Sequence, residues 1–389
     1  MNHVDILRFL SKGDKTLFDI PSAEQSSFLE TLPDPRDDKE RSFLQYKCQS
    51  FFSSRWKMFL LNICGLVLFL PALVYYIIRR LFIVTIEKKE IITDLNGMSE
   101  IIPNEISSRY DIAFVGRNPI GALSFSDIPL VFAILFRFFP DGYFSFKVMA
   151  KIAQYSQLIK MYNPTGIIAH LEYSFSSSIL SYYCNKKNVK HINVMHGEKL
   201  YNIVDAYFRF DECYVWNEHY VKLFTDLKAE PSQFKISLPP SMRIDLDEHK
   251  NEASWADYKY YLASFTDTEM KRIVDSLIFV KRQGKTVRYR IHPRYRNLDI
   301  ILKYVKSDEI EDPNEVSILD SIANCSFVIG TYSTVLNQAY CSGREIVIDD
   351  VTFKYQFDRL KDLRYWLIDE NCPRLSEMQQ YTSFDEKNT

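Results

Sequence analysis

Residues 258–294, YKYYLASFTDTEMKRIVDSLIFVKRQGKTVRYRIHPR, decide the fold. The run opens on a strand pattern at Tyr258–Ser264. Thr266 with Glu269 three residues later forms a capping box, and Met270, Ile273, Val274, Leu277 and Ile278 recur at helical spacing until Gly284 ends the helix. Val287, Tyr289 and Ile291 then alternate with Arg288 and Arg290 in a strand that stops at His292-Pro293. Strand, helix and strand in this order make a βα unit of a parallel sheet.

Downstream, Asp312-Pro313-Asn314-Glu315 offers an N-cap, a proline at the first helical position and a glutamate at the third, which predicts a helix through Val316, Leu319 and Ile322. A strand at Phe327–Gly330, a helix from Thr334 to about Cys341 and a strand at Glu345–Ile348 complete a doubly wound unit. Upstream lies a first series with strands at Ile112–Val115, Gly166–His170, His191–Met195 and Glu212–Trp216. Helical stretches at Leu130–Phe139, Phe144–Tyr162 and Ser177–Cys184 alternate with them. Lys228–Asn251, with Pro231 and the Pro239-Pro240 pair, reads as a crossover between domains. A length of 389 residues suits two domains. The expected class is α/β, with an accessory helical region at 1–57, a hydrophobic segment at 58–80, Rossmann-like domains at 81–240 and 241–375, and a polar tail at 376–389.

Composition narrows the function. With 48 Lys+Arg against 50 Asp+Glu the chain lacks the basic footprint of a nucleic-acid binder. The seven cysteines are scattered, never as CxxC or at zinc spacing, which suits a reducing cytoplasm. The first 57 residues are polar and mixed in charge, so no cleaved signal is expected. Only 11 glycines occur, with no GxGxxG or Walker loop, GxSxG elbow or HExxH helix, which disfavours a dehydrogenase, a P-loop enzyme, an α/β-hydrolase and a zinc protease. The pairs Asp37-Asp38 and Asp349-Asp350 read as solvated carboxylates, and no metal is expected. Met58–Ile78 is 21 residues without charge, flanked by Arg55 and Lys57 before and Arg79 and Arg80 after, with Pro71 inside. Basic residues at both ends fit a re-entrant or in-plane helix on the cytoplasmic, anionic-lipid face of a membrane; the other reading is a buried core helix.

In open α/β sheets ligands sit beyond the carboxyl ends of the strands, where helix N-termini present N–H groups to anions. Three loops meet that description. In Met195-His196-Gly197-Glu198-Lys199, His196 or Glu198 can act as a base toward an acceptor hydroxyl beside the permissive Gly197. In Ile291-His292-Pro293-Arg294, with Arg288, Arg290 and Arg296 near in sequence, arginine and histidine suit a phosphate leaving group. In Gly330-Thr331-Tyr332-Ser333-Thr334 the hydroxyls and N–H groups of a helix start can hold the same phosphate. Arg117, after the strand at Ile112, is a further candidate for contacting donor or acceptor.

The order of these loops over about 111–350 resembles the two-domain GT-B glycosyltransferases that build bacterial capsules, lipooligosaccharides and teichoic-acid-like polymers, in which two doubly wound domains face one another. Ile291-His292-Pro293 and Ser333-Thr334 look like the His-Pro and Ser/Thr motifs of bacterial sialyltransferases and polysialyltransferases. That resemblance implies His292 as phosphate ligand or general acid and Ser333 and Thr334 as phosphate ligands, with a CMP-sugar as donor. The sialyltransferase acidic base motif is absent, and His196-Gly197-Glu198 is similar to the loop of glycerophosphate polymerases and Kdo-type transferases. The implied function is metal-independent transfer of sugar from a nucleotide-sugar to a glycan or lipid-linked glycan acceptor, without cofactor, at the inner-membrane surface. The alternatives are transfer of a polyol phosphate from a CDP-glycerol-type donor and a non-catalytic glycan-binding or scaffold protein.

Overall fold

A computed structural model describes residues 14–95, 97–116, 120–251, 254–294 and 297–378. The chain divides into two compact units, the first running to His196 and resuming over Tyr201–Pro239, the second comprising Gly197–Leu200 and everything from Pro240 onward.

The first unit contains helices α1 (Ser22–Glu30), α2 (Asp38–Ser50), α3 (Arg55–Arg80), α4 (Ile128–Arg137), α5 (Gly142–Tyr162), α6 (Ser177–Lys186) and α7 (Glu218–Asp226). Its strands are β1 (Ile91–Thr93), β2 (Ile112–Phe114), β3 (Gly166–Ala169), β4 (Lys190–Val194), β5 (Glu212–Val215) and β6 (Phe234–Ile236). They form one sheet of order β2-β1-β3-β4-β5-β6, parallel throughout. The strands β1 and β6, three residues each, are not among those read from the sequence, whereas β2, equally short, is. β6 lies within the predicted crossover, where the prolines mask it.

The second unit holds β7 (Ala256–Tyr261), β8 (Val287–Arg290), β9 (Ile310–Glu311), β10 (Cys325–Gly330) and β11 (Glu345–Ile348), in the parallel order β11-β10-β7-β8-β9. Its helices include α8 (Asp267–Ser276), α9 (Ile318–Ala323) and α10 (Thr334–Cys341). The Thr266–Glu269 capping box that opens α8 is formed in both directions, and Met270, Ile273 and Leu277 are buried against the sheet. The α/β class and the two doubly wound parallel sheets expected of a GT-B chain are both present.

One helix start departs from expectation. Asp312 does not cap a helix; its side chain accepts the Asn314 N–H at 2.8 Å in a turn, and α9 begins only at Ile318, capped by Ser317. The carbonyl of Val316 accepts from the Arg290 guanidinium at 2.9 Å, and the Val316 N–H reaches back to the Asp312 carbonyl at 3.1 Å in a single turn. An Asx turn has competed successfully with the proline-primed start.

The first sheet is pinned by a histidine. His191, on β4, is fully buried, with Nε2 3.0 Å from the Tyr155 hydroxyl and Nδ1 2.8 Å from the Ser181 hydroxyl. Ser181 donates to the Arg209 carbonyl at 2.7 Å, so its oxygen accepts the Nδ1–H, and Nε2 accepts from Tyr155. Burial pushes the imidazole from 6.5 down to about 3. The unfolded chain therefore binds one more proton than the native state between those limits, and stability falls as pH drops through that window. The expected loss from this group is about 2 kcal/mol between pH 7 and pH 5. Urea unfolding at the two pH values checks it: His191→Gln should shrink the difference by about that amount, and an unchanged pH dependence would refute the assignment.

Candidate functional site

The second sheet reverses its winding between β7 and β10: β8 and β9 extend it one way, β10 and β11 the other. A crevice at the carboxyl ends of strands flanking such a reversal is where doubly wound sheets bind ligands. A cavity of about 650 Å³ lies there, walled by the segments that follow β7, β8 and β10 and by Glu198. That volume suits a nucleotide-sized ligand.

The loop after β8 supplies Ile291, His292 and Pro293. The backbone N–H of Arg294 donates to His292 Nδ1 at 3.0 Å. Nδ1 is thus an acceptor, and the neutral ring carries its proton on Nε2 as a donor. Burial, and secondarily the Arg294 charge, hold the His292 pKa below 6.5. At neutral pH the side chain is an uncharged hydrogen-bond donor rather than a ready acid. Arg294 takes part through its backbone; its side chain is exposed and does not line the cavity.

The loop after β10 supplies Thr331 to Val335. Ser333 caps α10, its hydroxyl oxygen accepting the Val335 N–H at 3.1 Å, which leaves its own hydrogen available to a ligand. Thr334 is the first residue of that helix, where the dipole favours an anion. The Tyr332 ring stands edge-on to Tyr365 at 5.3 Å. Burial, and secondarily Glu198, raise its phenol pKa, so it stays protonated.

Behind the wall lies a charge cluster that sequence reading missed. Glu311, almost wholly buried, receives Lys259 Nζ at 2.7 Å and Arg290 at 2.6 Å, and the Ser321 hydroxyl as well. Lys259 also donates to the Ser321 carbonyl at 3.0 Å. Burial pushes the Glu311 carboxyl up, but Lys259 and the hydrogen bonds outweigh it and the pKa is lowered. Two cations share one carboxylate, so the cluster keeps a positive charge, and Arg290 carries it to the cavity wall. The available signal was a lysine inside the central strand of a parallel sheet, since buried charges are paired.

Glu198 was expected as a base. It lines the cavity and accepts from the Asn337 side-chain amide, whose oxygen accepts from the Tyr365 hydroxyl at 3.2 Å. Gly197, at φ 72°, adopts the left-handed turn that leads into Glu198. His196 is an exposed residue of the first unit, its ring 5.9 Å from that of His170. The structure therefore gathers Glu198, His292, Pro293, Tyr332, Ser333 and Thr334 about one cavity. Arg117 and Arg296 lie outside the described residues. Asp349 is fully buried rather than solvated, accepting from Tyr260 at 2.5 Å and from the N–H groups of Val351 and Thr352, and Asp350 accepts from the Ser376 backbone and hydroxyl; both act as loop caps. Asp37 caps α2. Among the described residues no group of three or more His, Cys, Asp or Glu side chains is placed to hold a metal ion.

No protein-family model matches the chain, and no curated protein does. Solved structures that it is similar to include MnaA of S. aureus in a UDP co-structure, at 10% identity over 67% of this chain and 78% of that one, TM-score 0.42. A UDP-N-acetylglucosamine 2-epimerase from Rickettsia bellii aligns at 11% identity over 68% and 78%, TM-score 0.38. A variant of the wall teichoic acid polymerase TagF aligns at 14% identity over 77% and 82%, TM-score 0.41. The architecture assigned above rests on the two sheet orders, not on these likenesses.

Glu311→Ala would leave Lys259 and Arg290 buried without a counter-charge, at an expected cost of about 3–5 kcal/mol. The change should appear as a lower urea midpoint for the second unit; removal of the exposed partner Asp275 of Lys271 should cost under about 1 kcal/mol. Equal effects would show that the buried cluster is not a structural keystone.

Proposed function

We propose that the chain is a nucleotide-sugar-dependent glycosyltransferase whose donor phosphates occupy the cavity of the second unit. The observation that carries the reading is the convergence of a cationic Arg290, a neutral His292 Nε2–H donor and the hydroxylated α10 start on one cavity at the strand reversal. Such groups are pre-positioned to receive charge that grows on a departing phosphate, which is where electrostatic catalysis acts.

In this mechanism Ser333, Thr334 and the first N–H groups of α10 bind the phosphate oxygens. His292 Nε2–H and Arg290 strengthen their hold as the sugar–oxygen bond breaks. Glu198 takes the proton from the acceptor hydroxyl as that oxygen bonds to the anomeric carbon, with His196, two residues before it, as the alternative base. The pairing of a His-Pro loop with a Ser-Thr helix start supports a CMP-activated sugar, and the acceptor proposed is a bacterial surface glycan or its lipid-linked precursor. The site of action proposed is the cytoplasmic face of the inner membrane.

Thermal-shift measurements with CMP, CDP, UDP and GDP test the binding step, because a ligand held only by the folded state raises the melting point. A shift with CMP supports the donor assignment, and a response to CDP alone favours a polyol-phosphate donor. No response to any nucleotide would overturn the reading. His292→Ala should lower donor turnover about 100-fold or more with an unchanged melting point. Because the ring is neutral above its depressed pKa, turnover should hold steady as pH rises past 6.5 and decline on acidification, when protonation removes the Nδ1 acceptor that aligns the ring.

A further inference from the structure

Helix α3 has two apolar faces with different fates. Leu61, Gly65, Phe69 and Leu73, spaced four apart, are buried, whereas Phe59, Ile63, Val67, Leu70, Val74 and Ile78 on the rest of the circumference are exposed, Val67 by 67%. The inner face is fastened along its length to the first unit. Lys57 pairs with Asp14 at 3.0 Å near the start, and Asn62 accepts from the Tyr46 hydroxyl and the Tyr143 N–H, each at 3.1 Å. Gly65 lies so close to α5 that a Cβ there would come within 2.4 Å of the Gly142 backbone. At the far end Arg79 donates to the Gly121 carbonyl at 3.2 Å and Arg80 to the Ser156 carbonyl at 3.3 Å.

The uncharged stretch is long enough to cross a bilayer, with a mean hydropathy of 2.3 over its apolar window. Crossing would drag α5, with Lys147, Lys151 and Lys160, into hydrocarbon, because α3 is tied to it from end to end. A helix anchored in this way can meet lipid only from the side. The charge pattern says which lipid: α3 contains no acidic residue, Arg55 is exposed, and Arg79 and Arg80 spend their hydrogen bonds on neutral carbonyls. The apolar surface continues past the helix through Leu81 and Phe82, each 76% exposed, and through Phe136 of α4, whose neighbour Phe132 packs on Phe69 at 6.3 Å between ring centroids.

We propose that the outer face of α3 lies in the interfacial plane of an anionic phospholipid bilayer, its axis parallel to the membrane, with the basic residues at both ends against the headgroups. Trp56 at one end and Tyr75 at the other suit that boundary. The seating concerns the first unit alone and requires no donor, so a failed transferase assay would leave it intact.

The test uses the full-length protein and vesicles of phosphatidylcholine with or without phosphatidylglycerol. The protein should float with the phosphatidylglycerol vesicles and much less with the neutral ones. Cys64, exposed on the outward side, should react with a hydrophilic maleimide in solution and be protected by those vesicles. A fluorophore on Cys64, in a Cys341→Ser background, should be quenched more by bromines near the headgroup than by bromines near the chain ends. The double variant Val67→Glu/Val74→Glu should lose flotation while keeping its melting point, since both sites are exposed. Deep quenching would mean a crossing helix and overturn the proposal. So would failure to float, whether the protein is then monomeric or a dimer in which a second copy covers Cys64.

Discussion

The second unit depends on how a parallel sheet tolerates charge in its middle. Glu311, on the short edge strand β9, draws Lys259 from the central strand β7 and Arg290 from β8 to a single carboxylate. Desolvating three ions is costly and repaid only when the remaining donors and carboxylate lone pairs find partners. Here the Ser321 hydroxyl and carbonyl and the Val316 carbonyl supply them. Arg290 and Lys259 are therefore fixed rather than mobile. A guanidinium whose position is set by buried partners costs little further entropy when an anion arrives at the cavity wall. Asp349, buried after β11 at the opposite edge of the sheet, is met by three donors of its own and does not compete for the arginine.

The same cluster explains the shape of the wall. Arg290 holds the Val316 carbonyl, and after Asp312 the chain makes a single turn, with the Glu315 and Val316 N–H groups on the Asp312 carbonyl, in place of the helix its sequence favours. Ile318 then starts α9 at the cavity edge. A local signal of proline and acidic residues has yielded to the Asp312 turn and a tertiary hydrogen bond, as such signals do when the competing energies are each about 1–3 kcal/mol.

That conflict marks the boundary of what the sequence could disclose. Elements with strong local chemistry, such as α8 with its capping box, α10 after a Ser-Thr start and β11, lie where periodicity and caps predicted them. The short strands β1, β6 and β9 carry no periodic signal of their own and emerge only through pairing, whereas β2, equally short, was legible in the apolar run at Ile112–Val115. In the candidate site the loop residues His292, Ser333 and Thr334 were legible because each sits next to a turn or cap signal. The partners that orient them were not. Asn337 looks like an ordinary helical residue until the structure sets its amide against Glu198 and Tyr365, and Lys259 looks like a solvated lysine until Glu311 meets it from 52 residues away.

Helix α3 shows the converse case, in which composition announces a hydrophobic segment but leaves its orientation open. A run of 21 uncharged residues satisfies both a span and a buried core helix. The arrangement of small and large residues settles which faces can do what. Gly65 permits a backbone approach to α5 that no larger residue would allow, and the buried positions repeat every four residues from Leu61 to Leu73. A helix committed to that contact has already used one side for the protein. The apolar side chains on the other side, with no acid on the helix to repel phosphate headgroups, then give it a second contact to make, and membrane attachment is obtained without removing the packing that holds the first unit together.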